Sequence, residues 1–546
     1  MSNELDYFYV NTKTSLSEIL NKFEVSNKDL ILLDERTVIT KPHLELLTDY
    51  PRSTTAALVA VAKNGNTLVR QNRVASASSA SHKVTIGNRD FVGAVRLSQN
   101  QCEAIIEVLT KATSVGAKGN ALDLLLVALV RATIKVDAVD LFSAPWSRSD
   151  DPNERKKVEV EIATLNEGRL RLKIANRSND GFFSVFFLRK FSKILTWVAV
   201  KIKATPNQVT LLSFAIGLYS AYLFSRGTFA SILIGAILLQ VSIIVDCVDG
   251  ELARYTRKFS KLGAWLDAVT DRVKEYMVFL GLAYGASLEG KNLWIPAMAM
   301  MAFQTFGHLS DYNFAQSVKI RVEEKFQDPV DFMADFDGIV PIEREPKGRL
   351  RYWLGKIIQF PIGERWLVIS ASAVIGGAKF TFIAMPILAF ISALVVYRGR
   401  VIRTKELEKS PLRSNLIINQ SDLLGVKRTF ITRGSWIEPS ILRAIELAVF
   451  IFAFAYFNVL GIASFMILFA VIFHHYDNLY RSLQGESKPR WLSALGLYVG
   501  GRVLIVGIAL IAGWNLSIFA WYFSVLFLGI SSIQWVKEHQ QNRINA

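Results

Sequence analysis

Four aspartates stand in the stretch VDCVDGELARYTRKFSKLGAWLDAVTDR, residues 245–272, beside long apolar runs: Asp246, Asp249, Asp267 and Asp271. Residues three or four apart share a helix face, so Asp246 with Asp249, and Asp267 with Asp271, each point one way. Two helices joined by the short basic turn around Tyr255–Ser260 would aim all four carboxylates at one spot. An acid at mid-bilayer depth costs roughly 2.5–3.5 kcal/mol on insertion scales, and four together repel one another. Packing does not account for them. A hard divalent cation does, because Mg2+ or Mn2+ prefers oxygen ligands and a carboxylate cluster can hold one or two such ions. Gly250 and Ala253 leave room for a flat or phosphorylated ligand near the backbone, and Arg254 supplies a planar fork suited to phosphate oxygens. The combination points to phosphate chemistry at a metal site.

The order Asp246-x2-Asp249-Gly250-x2-Ala253-Arg254-x8-Gly263-x3-Asp267-x3-Asp271 resembles, without a substitution, the signature of the CDP-alcohol phosphatidyltransferases, integral membrane enzymes of phospholipid head-group synthesis. That resemblance implies metal ligation by Asp246, Asp249 and Asp267, with Asp271 also near the metals and acting as general base. It implies a CDP site lined by Asp249, Gly250, Ala253 and Gly263, with Arg254 on the phosphates. Two ions, Mg2+ or Mn2+, and a homodimer are likewise implied by resemblance alone.

The whole chain fits a membrane protein: 51% of its 546 residues are hydrophobic and the mean hydropathy is +0.28, high for a soluble protein. The net charge of +16 could serve nucleic acid, but the basic residues mostly flank apolar runs, as in loops facing an anionic leaflet. A bilayer is the expected partner and nucleic acid is not. Cys102 and Cys247 lie in separate regions, which indicates neither a disulfide framework nor a zinc site. The first residues, MSNELDYFYVNTKTSLSEIL, lack the basic start, apolar core and small-residue cleavage site of a signal peptide, so the N-terminus is expected in the cytoplasm.

Residues 1–180 are polar and mixed. Apolar runs at 30–33, 56–61 and 91–97 read as strands, and 99–115 and 121–132 as helices, an alternation that predicts a soluble α/β domain. The order of the strand ending at Asp34, then VASASSASHKVT and LDLLLVALVRATIKVDAVD, resembles the latter part of a sugar-nucleotidyltransferase-type domain. No early Gly-rich loop precedes Gly65 to hold a triphosphate, so the domain is expected to be degenerate, with a structural, regulatory or partner-binding role and residual nucleotide binding as the alternative. Asp34 is the residue to test there for a metal role, and SDDPNE at 149–154 reads as a solvated loop.

Residues 181–204 form a basic amphipathic helix expected to lie in the membrane interface, with Phe186, Phe187, Leu188, Phe191, Ile194, Leu195 and Val198 opposite Arg189, Lys190, Lys193, Lys201 and Lys203. Thr205-Pro206-Asn207 then starts the first span. Together with the amphipathic helix, it widens the family resemblance to roughly 182–403. Six spans are expected in the membrane domain 205–403, at about 208–225, 228–248, 272–288, 292–311, 362–377 and 380–398. A linker, 404–438, leads to an extension over 439–546 with four more, near 440–457, 460–475, 494–513 and 515–535. The fold class is therefore a polytopic α-helical membrane protein, a six-helix core plus about four C-terminal spans, with an N-terminal α/β domain. Basic loops at 255–261, 317–356 and 398–409 place the chemistry on the cytoplasmic side of the plasma membrane.

Three arginines are candidates for an acceptor's phosphate: Arg365, Arg321 and Arg398, by resemblance to inositol-phosphate-using members. Asp331, Asp335 and Asp337 lie in a polar insertion that lacks the remaining ligands of a calcium loop. In the extension, Arg443 and Glu446 are one turn apart and suited to pairing, and His474, His475, Tyr476, Asp477, Tyr480, Arg481 and Arg502 gather near a boundary. The resulting expectation is a transferase that moves a phosphatidyl or substituted phosphate group from CDP-diacylglycerol or another CDP-alcohol to an alcohol or polyol phosphate, releasing CMP. A cation transporter using the same carboxylates, or a non-catalytic lipid-binding scaffold, are the rival readings.

Overall fold

The structure is a computed structural model that describes residues 6–48, 55–70, 73–116, 118–141, 144–176, 181–325, 349–407, 421–423, 426–428, 436–483 and 488–544. Two compact units divide the chain: the first takes the residues up to Ile174 and, of the later described residues, 322–325, and the second takes Ala175–Arg321 and the described residues from 349 onward.

The first unit is α/β, as the alternation of its apolar runs predicts. A seven-stranded sheet has strands β1 (Asp6–Val10), β2 (Leu30–Asp34), β3 (Thr55–Val61), β4 (Thr67–Arg70), β5 (Arg73–Ala77), β6 (Arg89–Leu97) and β7 (Val136–Asp140) in the order β1-β2-β6-β3-β7-β5-β4. β1 runs parallel to β2 and β3 to β7, while β6 lies antiparallel between β2 and β3. Side chains alternate across the sheet. Leu30 and Leu32 pack with helices α1 (Leu16–Val25), α2 (Cys102–Ser114) and α3 (Ala121–Arg131), through Phe23, Ile105, Leu109, Leu125 and Leu129. Ile31 points the other way, into a second cluster with Leu46, Leu58, Val92 and Val139. SDDPNE is only partly a loop: Asp151 caps a helix, Pro152–Ala163, because its carboxylate accepts from the Asn153 N–H.

The second unit is helical. Its elements are α4 (Arg189–Lys201), α5 (Pro206–Ser225), α6 (Phe229–Thr256), α7 (Lys261–Leu288), α8 (Trp294–Lys325), α9 (Ile362–Leu407), α10 (Glu438–Tyr456), α11 (Ile462–Leu483), α12 (Tyr498–Ile511), α13 (Leu516–Ser524) and α14 (Ser531–Ile544). Among the described residues seven helices are long and apolar enough to cross a membrane. Every stretch expected to span is mainly helical, although α7 and α8 are not among those seven and the stretch 494–513 is broken by a turn at Gly496 and Leu497, before α12. The expected pair 362–377 and 380–398 forms one element broken at Gly376 and Gly377, where Gly377 adopts a φ of +67° that a side chain would resist.

Starts and stops follow local chemistry. Thr205 and Gln208 form a reciprocal capping box with Pro206 in the first turn of α5. Arg257, at a φ of +59°, ends α6, and Ser260 caps α7 by accepting the Gly263 N–H at 2.9 Å. Small residues let the core helices approach closely. A Cβ on Gly281 would stand 2.3 Å from the Ala221 carbonyl oxygen, and Ser220 Oγ donates to the Gly235 carbonyl at 2.7 Å.

Helix α4 has three faces rather than two. Phe187, just before it, and Phe191, Ile194, Trp197 and Val198 are exposed, whereas Leu188, expected among them, is buried. The buried stripe is small and polar: Ser192, Thr196 and Ala199. Ser192 and Thr196 each donate at 2.6 Å to Glu251 of α6, which is fully buried and also takes Arg189 at 2.7 Å and Asn176 at 2.6 Å. One carboxylate with four donors therefore fastens the amphipathic helix to the helix that bears Asp246 and Asp249.

Candidate active site

Helices α6 and α7 run on either side of the four-residue turn 257–260, so the end of one and the start of the other carry the aspartates side by side. Oxygens of Asp246, Asp267 and Asp271 lie within 4.8 Å of one another. Asp249 sits one turn from Asp246 but is more deeply buried, and its carboxylate accepts from Thr210 Oγ1 of α5 at 2.6 Å. Gly250, Ala253 and Gly263 are partly exposed. A Cβ on Gly263 would stand 2.9 Å from Ser260 Oγ and 3.0 Å from Asn207 Oδ1. Arg254 Nε donates to the Ala175 carbonyl at 2.6 Å. That bond fixes the stem of the guanidinium beside the glycine face, where a Cβ on Gly250 would be 3.3 Å from the nearest Arg254 nitrogen. The donor set is three hard carboxylates within coordination reach and no sulfur or imidazole, which fits Mg2+ or Mn2+.

One member of this centre escapes the signature. Lys274 of α7 is completely buried, with its ammonium 2.6 Å from Asp246 Oδ1 and 3.0 Å from Asp271 Oδ1, and it donates to Ser213 Oγ at 2.9 Å. Its place could have been read, since it lies three residues beyond Asp271 and seven beyond Asp267, on the same helix face.

Beyond the carboxylates, α8, α9 and the segment before α9 enclose a cavity of about 660 Å3. Arg365, Arg400, Arg403, His308 and Gln304 are among its lining residues. Arg365 is held by Glu275, with Nε and Nη2 donating at 3.0 and 3.2 Å. Arg400 pairs with Asp311 and donates to Ser310 Oγ. Gln304 is buried, and neither atom of its amide has a hydrogen-bond partner. Of the other two arginines singled out from sequence, Arg398 is exposed and absent from this lining, and the side chain of Arg321 lies outside the described residues, as do Asp331, Asp335 and Asp337. Two residues along a helix is over half a turn, which is why Arg400 and not Arg398 meets the cavity.

His308 has a determined hydrogen-bonding sense. Thr305 Oγ1 donates to the Met301 carbonyl, so it accepts from Tyr276 Oη at 3.2 Å; Tyr276 then accepts from Tyr476 Oη at 3.1 Å, and Tyr476 from His308 Nδ1 at 2.8 Å. The proton of His308 is thereby on Nδ1, and Nε2 accepts from Arg272 and Arg365 at 3.3 and 3.4 Å. Tyr476 belongs to α11, so the C-terminal extension reaches the wall of the cavity. It also reaches α7, where Trp265 Nε1 donates to Asp477 at 3.1 Å.

The histidine and acid cluster of the extension is tied up in buried pairs. Glu446 takes His475 at 2.9 Å and Arg502 at 2.8 Å, and Asp477 takes Arg481 at 2.9 Å and Lys488 at 2.7 Å. In the N-terminal unit Asp34 is likewise engaged, by Arg36 at 2.8 Å, Arg148 at 2.9 Å and Asn120 at 3.3 Å. Burial raises its pKa, but the two guanidinium groups outweigh that and hold it below the ordinary carboxylate value. A carboxylate so neutralised is a structural acid, which argues against the metal role considered for it.

Comparison with known proteins accords with this geometry. Residues 203–340 match the family described as CDP-alcohol phosphatidyltransferase, and residues 379–543 match a family of unknown function, DUF5941. The chain is 32% identical over 172 residues to the "Bifunctional IPC transferase and DIPP synthase" of Thermococcus kodakarensis, covering 31% of this chain and 36% of that protein. It is 38% identical over 81 residues to the "Archaetidylinositol phosphate synthase" of Pyrococcus horikoshii, covering 15% and 42%. It is 31% identical over 134 residues to the "Phosphatidylinositol phosphate synthase" of Streptomyces avermitilis, covering 24% and 53%. The chain thus spans about a third to a half of the length of these curated relatives. A solved inositol-1-phosphate CTP transferase from T. maritima is 15% identical over 27% of this chain and 61% of that one, with a TM-score of 0.21, a likeness too slight to bear on the fold. The aspartate signature, the helices that carry it and the family match coincide, and residues 203–340 are a CDP-alcohol phosphatidyltransferase domain.

Proposed function

We propose that the chain transfers a substituted phosphate from a CDP-alcohol, such as CDP-diacylglycerol, to the hydroxyl of a phosphorylated polyol, with release of CMP. The observation that carries this reading is the convergence of Asp246, Asp267 and Asp271 from two helices, within a domain of that family. Asp246, Asp267 and Asp271, with Asp249 behind them, would hold divalent metal. When bound, such ions neutralise the pyrophosphate of the donor. Gly250, Ala253 and Gly263 leave space for the nucleotide, and Arg254 binds its phosphates. The acceptor's phosphate is taken by Arg365 and Arg400, and its hydroxyl groups by the Gln304 amide. Asp271 accepts the proton of the attacking hydroxyl; the new bond forms at the β-phosphorus and the bond to CMP breaks, so charge and atoms balance.

The names of two relatives, an archaetidylinositol phosphate synthase and a phosphatidylinositol phosphate synthase, support a polyol phosphate as acceptor. The exposed apolar face of α4 and the basic loops support a plasma-membrane protein whose site opens to the cytoplasm. A homodimer is part of the same reading. The test is to incubate purified protein with labelled CDP-diacylglycerol and, in turn, inositol phosphate, glycerol phosphate and serine, following CMP. Release of CMP with a phosphorylated acceptor is expected, and Asp271→Asn should lower it by about 100-fold or more while leaving the protein folded. Near-normal release by Asp271→Asn would remove Asp271 from its role, and no release by the wild type with any acceptor would defeat the reading.

A further inference from the structure

We propose that Lys274 is a built-in cation of the carboxylate centre and takes the place of one of two divalent ions. The inference rests on the reading of these aspartates as metal ligands.

Three observations carry it. First, the ammonium is committed to this centre: it donates to Asp246 Oδ1 at 2.6 Å and to Ser213 Oγ at 2.9 Å, and forms an ion pair with Asp271 Oδ1 at 3.0 Å. Two of the three carboxylates close enough to share an ion already share Lys274. Second, the slot is shaped for this side chain. Position 217 on α5 is glycine, and a Cβ there would stand 2.7 Å from Lys274 Cγ and Cδ, closer than packed carbon atoms come. Third, the ammonium cannot swing away to water. Lys274 has no exposed surface, and the buried ring of Trp366 lies 5.2 Å from Nζ, a cation–π distance.

A fixed positive charge between Asp246 and Asp271 does what a first metal ion would do. It relieves the repulsion that otherwise drives four acids apart, and it does so before any ligand arrives. It also takes a lone pair on one oxygen of Asp246 and stands at ion-pair distance from one oxygen of Asp271. Asp267 and the remaining oxygens are left for a single divalent ion. Lys274 is a positioning residue in this account: it acts through Asp246 and Asp271 and need not touch substrate. The consequence is a centre that loads one ion per chain, with its acids already converged.

The decisive measurement counts ions rather than turnover. Purified full-length chain in detergent is titrated with Mn2+ in the absence of nucleotide, and free Mn2+ is followed by its EPR signal. One ion per wild-type chain is expected. Lys274→Met, which keeps the length and removes the charge, is expected to bind two, and Lys274→Arg to stay at one; if the Met variant does not fold, Lys274→Gln is counted in its place. Two ions on the wild type, or one on both the wild type and the uncharged variant, would overturn the assignment of Lys274 while leaving the metal centre intact. No Mn2+ on the wild type would overturn the metal centre itself.

Discussion

Glu251 offers the sharpest test of how the site is held together. Its side chain is fully buried on α6, two residues beyond Asp249, and receives Asn176, Arg189, Ser192 and Thr196 within 2.6–2.7 Å. Removing one partner of a buried ion pair costs about 3–5 kcal/mol, because the other charge is left without compensation. Glu251→Ala should therefore destabilise the membrane unit by about that amount, since Arg189 is only 12% exposed. Glu251→Gln should cost less, about 1–2 kcal/mol. The amide oxygen keeps the three donors that share Oε1, and the Thr196 hydroxyl can turn to accept from the new NH2. A double-mutant cycle with Arg189→Met isolates the pair, and its coupling energy should be about 1–3 kcal/mol. Unfolding by graded SDS in mixed micelles, read by helicity, gives all four values. A coupling below about 0.5 kcal/mol, or equal losses for Ala and Gln, would refute the claim that this carboxylate fastens α4 to the signature helix.

Two further outcomes follow from the same geometry. Arg400→Met should raise KM for a phosphorylated acceptor about 10-fold or more while leaving KM for the CDP-alcohol unchanged, because a charge-assisted phosphate contact is lost on one side of the reaction only; steady-state kinetics with each substrate varied checks this. Asp34, whose folded pKa is depressed, contributes stability that is complete above its unfolded value of about 3.9 and is lost as pH falls through the lower folded value. The stability difference between wild type and Asp34→Asn should accordingly hold steady from pH 7 to pH 5 and shrink in stronger acid, as measured by amide hydrogen exchange in the N-terminal sheet.

How much of this was legible depended on whether one helix or two decided the matter. The shared helix face of Asp267 and Asp271, the α/β character of the first unit and the helical character of the second could be read from period alone, whereas the expected meeting of all four acids becomes a group of three with Asp249 beside it. Partners across helices were not. Nothing in a linear pattern says that Thr210 of α5 would claim Asp249, or that Ser192 and Thr196, neutral residues on a helix read as apolar against basic, would meet Glu251. The acceptor arginines show the same limit: Arg398 and Arg400 differ only in helical phase, and phase against a neighbour is a tertiary property. Lys274 was the one readable omission, since its spacing from Asp271 and Asp267 is that of a shared face.

The bonds from α11 to α7 and α8 bear on how the chain can be cut. A fragment ending at Leu407 would strip the Trp265 indole of its acceptor on Asp477 and leave His308 Nδ1 without the Tyr476 oxygen. It would also uncover the Tyr276 ring that packs edge-on against Phe469. Buried polar groups deprived of partners in an apolar medium cost several kcal/mol each. The segment of unknown function is for that reason no detachable appendage: whatever else it does, it is scaffolding without which the aspartate-bearing helix would have to find a new neighbour.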